Sequence, residues 1–182
     1  MSTVVSKARI AGVFYLITFV AGLLALVGGR KLGVYFYAAN LIATASYVVV
    51  TLLLYWLFKP VNSGLSLLAA LFSLTGCVSG TLSLLRLAHS PINNLVFFGF
   101  YCVLIGYLIF RSTFLPRVLG VLMAVGGLGW LTFLSPSLVK FLSPYNMFPG
   151  IVAEGLLTLW LIVMGVNAQR WTELQPHHEG AY

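Results

Sequence analysis

The sequence contains no aspartate and few charges of any kind. Only 7% of its 182 residues are charged, and three acids stand against ten lysines and arginines. Without aspartate a Ser-His-Asp triad is excluded, and no HExxH segment or histidine cluster lies in the apolar segments. Soluble domains carry about 25% charged residues. With 60% hydrophobic residues and a mean hydropathy of +1.03, this composition predicts a polytopic membrane protein.

The net charge of +7 does not indicate nucleic-acid binding. The cations stand singly or in pairs at the ends of apolar runs, where they face lipid headgroups. No basic face with interleaved aromatic residues is present. We therefore expect the lipid bilayer, and no nucleic acid, to be the partner of these side chains.

Long apolar runs dominate the chain. A bilayer core of about 30 Å requires roughly 20 apolar residues per helix. Short connections between such runs predict antiparallel neighbours and leave no room for a soluble domain. We predict one all-α domain over residues 1–182, a bundle of six transmembrane helices, with residues 1–6 and the polar C-terminal tail 169–182 as loose ends. The predicted spans are residues 9–28, 34–58, 64–87, 94–110, 117–135 and 149–168.

The distribution of cations predicts the orientation. Six lysines and arginines flank the side on which the N-terminus lies, and four flank the other side: Lys7, Arg9, Lys59, Arg111, Arg117 and Arg170 against Arg30, Lys31, Arg86 and Lys140. By the positive-inside rule both termini are cytoplasmic. The run 10–28 is longer than the roughly 7–15 apolar residues of a signal peptide, so we interpret it as a retained first span. Residues 135–150 form either a short stretch in the outer interface or an irregular loop.

Small residues mark the faces on which helices approach closely. The third span carries small residues at alternating spacings of three and four, and the fourth and fifth spans repeat this spacing. The two cysteines also lie in apolar segments and do not have CxxC spacing. We predict close packing of helices three, four and five, with the cysteines as packing residues. The small residues are Ser66, Ala69, Ser73, Gly76, Gly80 and Ser83, then Gly99, Cys102 and Gly106, then Gly120, Ala124 and Gly127.

Polar side chains form a stripe on the second span, at spacings of three and four that place them on one helix face. Such groups are costly in lipid, so this face should look into the bundle. It lines a wet cavity or makes hydrogen bonds between helices. The stripe consists of Tyr37, Asn40, Thr44, Tyr47, Thr51 and Tyr55, and the first span carries a weaker version in Ala11, Tyr15, Thr18 and Gly22.

A single carboxyl, Glu154, lies inside the sixth span, about 9 Å from its outer end. An unpaired charge there is expensive. Depth along the helices makes Arg86 the first candidate counter-ion and His89 the second. Three interpretations stay open: a structural ion pair with Arg86, a site for a cation or polar headgroup, or acid–base chemistry with His89 or a tyrosine.

Three stretches resemble a bacterial integral-membrane family, the domain of unknown function 4386. They are "RIAGVFYLITFVAGLLA" at 9–25, "IGYLIFRSTFLPRVLG" at 105–120 and "EGLLTLWLIVMGVN" at 154–167. The resemblance implies a six-helix protein of a bacterial cytoplasmic membrane and no settled activity. Members typically carry longer connections after the first and third helices than "GGRKLG" and "AHSPINN" here.

Together these patterns favour a non-enzymatic membrane protein. The leading hypothesis is binding or transport of a small amphipathic or lipid-like ligand, in an outer-side cavity between helices two, three and six. The alternatives are a non-catalytic membrane subunit, as a homo-oligomer or in a complex, and an intramembrane enzyme on a lipid-like substrate. We predict no metal site, including at His177 and His178, and no cofactor can be named. The candidate ligand-binding residues are Glu154, Arg86, His89, Asn40, Tyr47, Thr44 and Thr158.

Overall fold

The computed structural model describes residues 2–88 and 92–175, and all regular structure in these residues is helical. Six helical segments are long and apolar enough to cross a membrane, which confirms the all-α bundle of six spans. The α-helices are α1 Ser2–Gly28, α2 Val34–Phe58, α3 Ser63–Leu84, α4 Asn94–Arg111, α5 Arg117–Leu131, α6 Pro136–Leu142, α7 Phe148–Val163 and α8 Ala168–Glu173. Short 3-10 helices cover Gly29–Leu32, Thr132–Leu134 and Tyr145–Met147.

The six spanning helices form a closed ring. Each packs against the next along the chain, with α6 intervening between α5 and α7, and α7 then packs against α1. The side chains that point into this ring are the least exposed of the described residues, and they include Tyr15, Leu54, Ile105, Met123 and Leu157. We call the end that holds Lys7, Lys59 and Arg111 the inner end, in keeping with the predicted orientation.

Glycines set the closest helix approach, between α4 and α5. A Cβ at Gly106 would lie 2.6 Å from the carbonyl oxygen of Gly120, and one at Gly127 would lie 2.7 Å from that of Gly99. The predicted close packing of helices three, four and five is confirmed for the two consecutive pairs, since α3 also packs against α4 at Gly76.

The third span ends earlier than predicted, at Leu84. Arg86 takes a left-handed backbone conformation with φ of 58°. Its N–H donates to the Ser83 carbonyl at 3.2 Å and that of Leu87 to the Leu82 carbonyl at 2.9 Å, a helix-ending motif that glycine usually supplies. This turn leaves the Arg86 side chain exposed. Similarly, α7 ends at Val163 because Gly165, with φ of 67°, turns the chain away.

Both predicted loose ends are wrong in their described parts. Residues 2–6 continue α1, and Val4 is buried. The first residues of the predicted tail belong to α8, which Asn167 caps by accepting a hydrogen bond from the Arg170 N–H at 3.1 Å. The α6 segment is also helical, which replaces the irregular-loop alternative for 136–142, whereas its placement in the interface stays a prediction.

Trp171 fastens α8 to the bundle. Its indole is buried, stacks on Trp56 with ring centres 4.8 Å apart, and donates to the Leu57 carbonyl at 2.8 Å. That carbonyl belongs to the last turn of α2, where helix carbonyls lack partners within the helix.

We expect Trp171→Phe to lower stability by about 1–2 kcal/mol, since a buried acceptor loses its donor. Thermal unfolding in detergent measures the change, and Trp160→Phe, at a half-buried tryptophan on α7, is the control. An unchanged melting temperature of Trp171→Phe would contradict the prediction.

Candidate functional site

The Glu154 carboxyl lies inside the ring, enclosed by side chains from four other helices. Tyr15 of α1 donates its hydroxyl to Oε2 at 2.9 Å, and Tyr47 of α2 donates to the same oxygen at 3.2 Å. Trp130 of α5 donates its indole N–H to Oε1 at 3.0 Å, and the Cys102 thiol of α4 lies 3.7 Å from it. We call these five residues the Glu154 cluster.

Local sequence explains how Trp130 reaches the carboxyl. Gly150 lies one helical turn before Glu154, and a Cβ at that position would collide with the indole nitrogen of Trp130. Gly126 brings α5 equally close, because a Cβ there would lie 3.0 Å from the Gly150 Cα and 2.9 Å from the Ala153 Cβ. The two glycines thus leave room for the indole between α5 and α7.

Glu154 lies at the predicted position on its own helix, but its carboxyl reaches the middle of the neighbouring helices. Glu154 is six residues from the start of its own helix, near the outer end. Its partner Tyr15, however, is thirteen residues from either end of α1, about 20 Å in both directions. Tyr47 and Cys102 also lie near the middle of their helices. The carboxyl is therefore level with the middle of three of the spans.

No cation neutralises Glu154 among the residues that the structure describes, so the predicted ion pair with Arg86 is wrong. The carboxyl accepts bonds from the neutral donors just named. Arg86 is turned outward at the end of α3, a helix that packs on α2 and α4 and contributes no donor to the cluster. The other candidate counter-ion, His89, lies outside the described residues, as do His177 and His178.

Of the remaining candidate residues, Thr158 contacts Glu154, whereas Asn40 and Thr44 have no bond to its carboxyl. Thr158 lies one turn along from Glu154 and donates its hydroxyl to the Glu154 backbone carbonyl at 2.7 Å. Asn40 and Thr44 are half-buried on α2 beyond Tyr47, and the Asn40 amide donates to the Phe36 carbonyl of its own helix at 2.8 Å. The prediction that the stripe faces inward is confirmed for Tyr47 and Thr51, which are 7% and 1% exposed, and Thr51 also contacts the Ser73 hydroxyl of α3 at 2.6 Å.

Sequence reasoning missed Trp130 and the role of Cys102, and gave Tyr15 too little weight. A search for a counter-ion does not find neutral donors. The available signal was that a buried indole N–H needs an acceptor, and Glu154 offers one within the apolar spans. Cys77 and Cys102 are both buried, free thiols, but Cys102 contacts the carboxyl besides packing.

The hydroxyls let the cluster hold the carboxyl in either charge state. Trp130 can only donate, whereas a tyrosine hydroxyl both donates and accepts. Around an ionised carboxylate both tyrosines donate to Oε2. If Oε2 carries a proton, it can donate a hydrogen bond to one tyrosine oxygen, and that tyrosine can turn its own hydrogen toward the other, since the two tyrosine oxygens are 3.4 Å apart. The hydrogen bonds of the cluster can therefore adapt to either protonation state by the rotation of two hydroxyls.

Aromatic rings surround this polar centre. The Tyr15 and Tyr47 rings meet edge to face with centres 5.5 Å apart, and Tyr101 lies 5.8 Å from Tyr47. Just outside, between α1 and α7, an apolar groove of about 300 Å³ faces the lipid. It is lined by Leu16, Phe19, Val152, Gly155, Leu156, Thr158 and Leu159. Phe19 connects the groove to the cluster, because its ring stacks on Tyr15 at 6.0 Å.

Comparisons with known proteins assign no activity to the chain. A family model described as "Domain of unknown function (DUF4386)" matches residues 93–165, which carry Cys102, Trp130 and Glu154. An uncharacterized protein of Archaeoglobus fulgidus is 31% identical over 127 residues, an alignment that covers 65% of this chain and 76% of that protein. No solved structure matches the chain. This multi-pass integral membrane protein thus belongs to the family described as domain of unknown function (DUF4386).

Proposed function

We propose that this protein binds a small amphipathic organic cation at Glu154 and exchanges it for a proton as it moves the cation within or across the bilayer. The observation that carries the proposal is the membrane-embedded carboxyl itself, which is enclosed by aromatic side chains and has no cationic partner in the described residues. Ionisable residues inside membranes are costly and mark candidate pathways of ions and substrates.

The surrounding rings suit an organic cation. Tyr15, Tyr47, Tyr101 and Trp130 supply ring faces and edges around one carboxyl, and aromatic cages bind substituted ammonium groups through the negative ring faces. A carboxylate adds full charge compensation in a site of low polarity. An anionic or neutral ligand would leave Glu154 without that compensation.

The groove between α1 and α7 offers the access route. Glu154 is only 6% exposed, so a ligand can reach it only if a seam of the ring opens. Among the described spanning helices, α1 and α7 are neighbours in the ring but are not consecutive along the chain, and we call their contact the seam. Tyr15 belongs to that seam and donates to the carboxyl, so its displacement would open the cluster toward the groove. An apolar ligand tail would remain in the groove, where Gly155 leaves open space.

A second candidate is a purely structural role in a non-catalytic membrane subunit or assembly partner. It is favoured by the completeness of the cluster, because both carboxyl oxygens already have donors.

We also propose that the protein is located in a bacterial cytoplasmic membrane, as a homo-oligomer or in a complex. The location rests on the family resemblance and the cation distribution, and the Archaeoglobus relative places similar sequences in archaea too.

Binding of octyltrimethylammonium to the protein in nanodiscs of zwitterionic lipid tests the proposal, with octanol as the uncharged control of equal chain length. We expect the cation to bind and the alcohol to bind no more than it binds to empty nanodiscs. Binding of the cation should release protons from the protein. Because cation and proton compete for one carboxylate, the affinity should rise with pH. Glu154→Gln should weaken binding by roughly a hundredfold or more.

The wild-type pH dependence keeps this test decisive even if the Gln variant unfolds. Cation affinity that does not change with pH, or equal binding by wild type and a folded Glu154→Gln protein, would overturn the proposal. Tyr107→Phe, a change of an exposed tyrosine on α4, serves as the matched control and should bind like wild type. Absence of cation binding together with an intact fold would leave the structural role as the better account.

A further inference from the structure

Tyr101 carries a buried hydroxyl without a hydrogen-bond partner. The side chain is 1% exposed, and its oxygen has no donor or acceptor at bonding distance and angle. Among the described side chains, Ser79 is the other residue in this condition. An unsatisfied hydroxyl in a protein interior costs about 1–3 kcal/mol, and phenylalanine would fill the same space without that cost. The position therefore holds a hydroxyl that the closed bundle does not use.

This hydroxyl belongs to the region around Glu154. Tyr101 precedes Cys102 on α4, and its ring lies against Tyr47 with ring centres 5.8 Å apart. Its oxygen lies near the Tyr15 hydroxyl, which donates to Oε2, but does not meet hydrogen-bond geometry with it. Of the three tyrosine hydroxyls in this region, those of Tyr15 and Tyr47 bind the carboxyl.

We infer that the Tyr101 oxygen accepts a hydrogen bond from the bound ligand, so that the site selects amines bearing an N–H over quaternary ammonium groups. This inference rests on the proposed function and narrows its ligand class. A primary ammonium has three donors, as the lysine side chain does. Two of them can reach the Glu154 oxygens once Tyr15 has moved, and the third can reach Tyr101. A trimethylammonium group can contact the rings and the charge but donates nothing to the hydroxyl.

A comparison of octylammonium with octyltrimethylammonium in the same nanodiscs tests the inference. We expect wild type to bind octylammonium more than about tenfold more tightly, because the primary ammonium donates hydrogen bonds that the trimethylammonium group cannot make. Tyr101→Phe keeps the ring but removes one of these bonds, so it should reduce this ratio about tenfold. The control Tyr107→Phe, on the same helix but 49% exposed, should keep the wild-type ratio.

The outcomes separate this inference from the proposed function. A wild-type ratio near one, or a ratio that Tyr101→Phe leaves intact, overturns the role of Tyr101 while Glu154-dependent cation binding still stands; a bound water would then satisfy the hydroxyl. Failure of wild type to bind either cation overturns both proposals. The wild-type ratio is measured without any variant, so the inference can be refuted even if Tyr101→Phe does not fold.

Discussion

Replacing Gly106 by alanine should destabilise the protein severely, whereas the same substitution at Gly155 should leave its melting temperature unchanged or slightly higher. A Cβ at Gly106 would lie 2.6 Å from the Gly120 carbonyl oxygen and 2.7 Å from the Ala124 nitrogen. These are backbone atoms of α5, so no side chain can turn away and the helices must separate. At Gly155 no atom lies within 4 Å of the added Cβ, and alanine is the better helix former.

We expect Gly106→Ala to cost about 3 kcal/mol, the upper range for overpacking. Labelling of the buried thiols of Cys77 and Cys102 during heating reports the loss of packing directly. Gly22→Ala, at the other spanning-helix glycine with no atom within 4 Å, is a second control and should behave like Gly155→Ala. Equal melting temperatures for Gly106→Ala and Gly155→Ala would show that α4 and α5 are not packed at backbone contact.

Replacing Glu154 by leucine should also destabilise the fold strongly. The substitution removes the acceptor of Tyr15, Tyr47 and Trp130 and leaves buried donors unpaired. The two tyrosines can still bond each other, because their oxygens are 3.4 Å apart, but the indole N–H can only donate. Each unpaired donor costs about 1–3 kcal/mol, so we expect a loss of roughly 3 kcal/mol.

Trp130→Phe should cost less stability in a protein that already carries Glu154→Leu than it costs in the wild type. Replacing both partners of a buried hydrogen bond by apolar groups costs far less than removing one of them. The loss in the double variant should therefore be smaller than the summed losses of the two single variants, by about 1 kcal/mol. Chemical or thermal unfolding of the four proteins gives this difference. Strictly additive losses would mean that the indole does not depend on the carboxyl.

The spans and their packing faces could be predicted because lipid imposes length and polarity on every helix. The apolar runs gave the second, fourth and fifth spans with ends close to those observed, and the glycine spacings identified the α4–α5 contact. The first helix begins earlier than predicted, and the early ends of α3 and α7 are decided by backbone conformation. Nothing in the residue type predicts that Arg86 takes the left-handed conformation usually left to glycine.

The composition of the site was harder to predict. The isolated carboxyl and the inward stripe of α2 were visible in the sequence, because both are expensive in lipid. The partners were not, because a search by charge and depth leads to Arg86, whereas four neutral donors on four different helices satisfy Glu154. Which helices meet at one level depends on tilt and ring order, and one sequence does not contain that information directly.

The closed ring also determines the order in which the protein can be completed. Tyr15 and Glu154 are 139 positions apart, and helices enter the bilayer as the ribosome produces them. The tyrosines are therefore in the membrane long before the carboxyl arrives, and the last spanning helix must insert against partners already in place. A translation product that stops before α7 retains five hydrophobic spans but has no acceptor for its central donors. Such a product remains an open bundle, and membrane proteases could distinguish it from the finished protein.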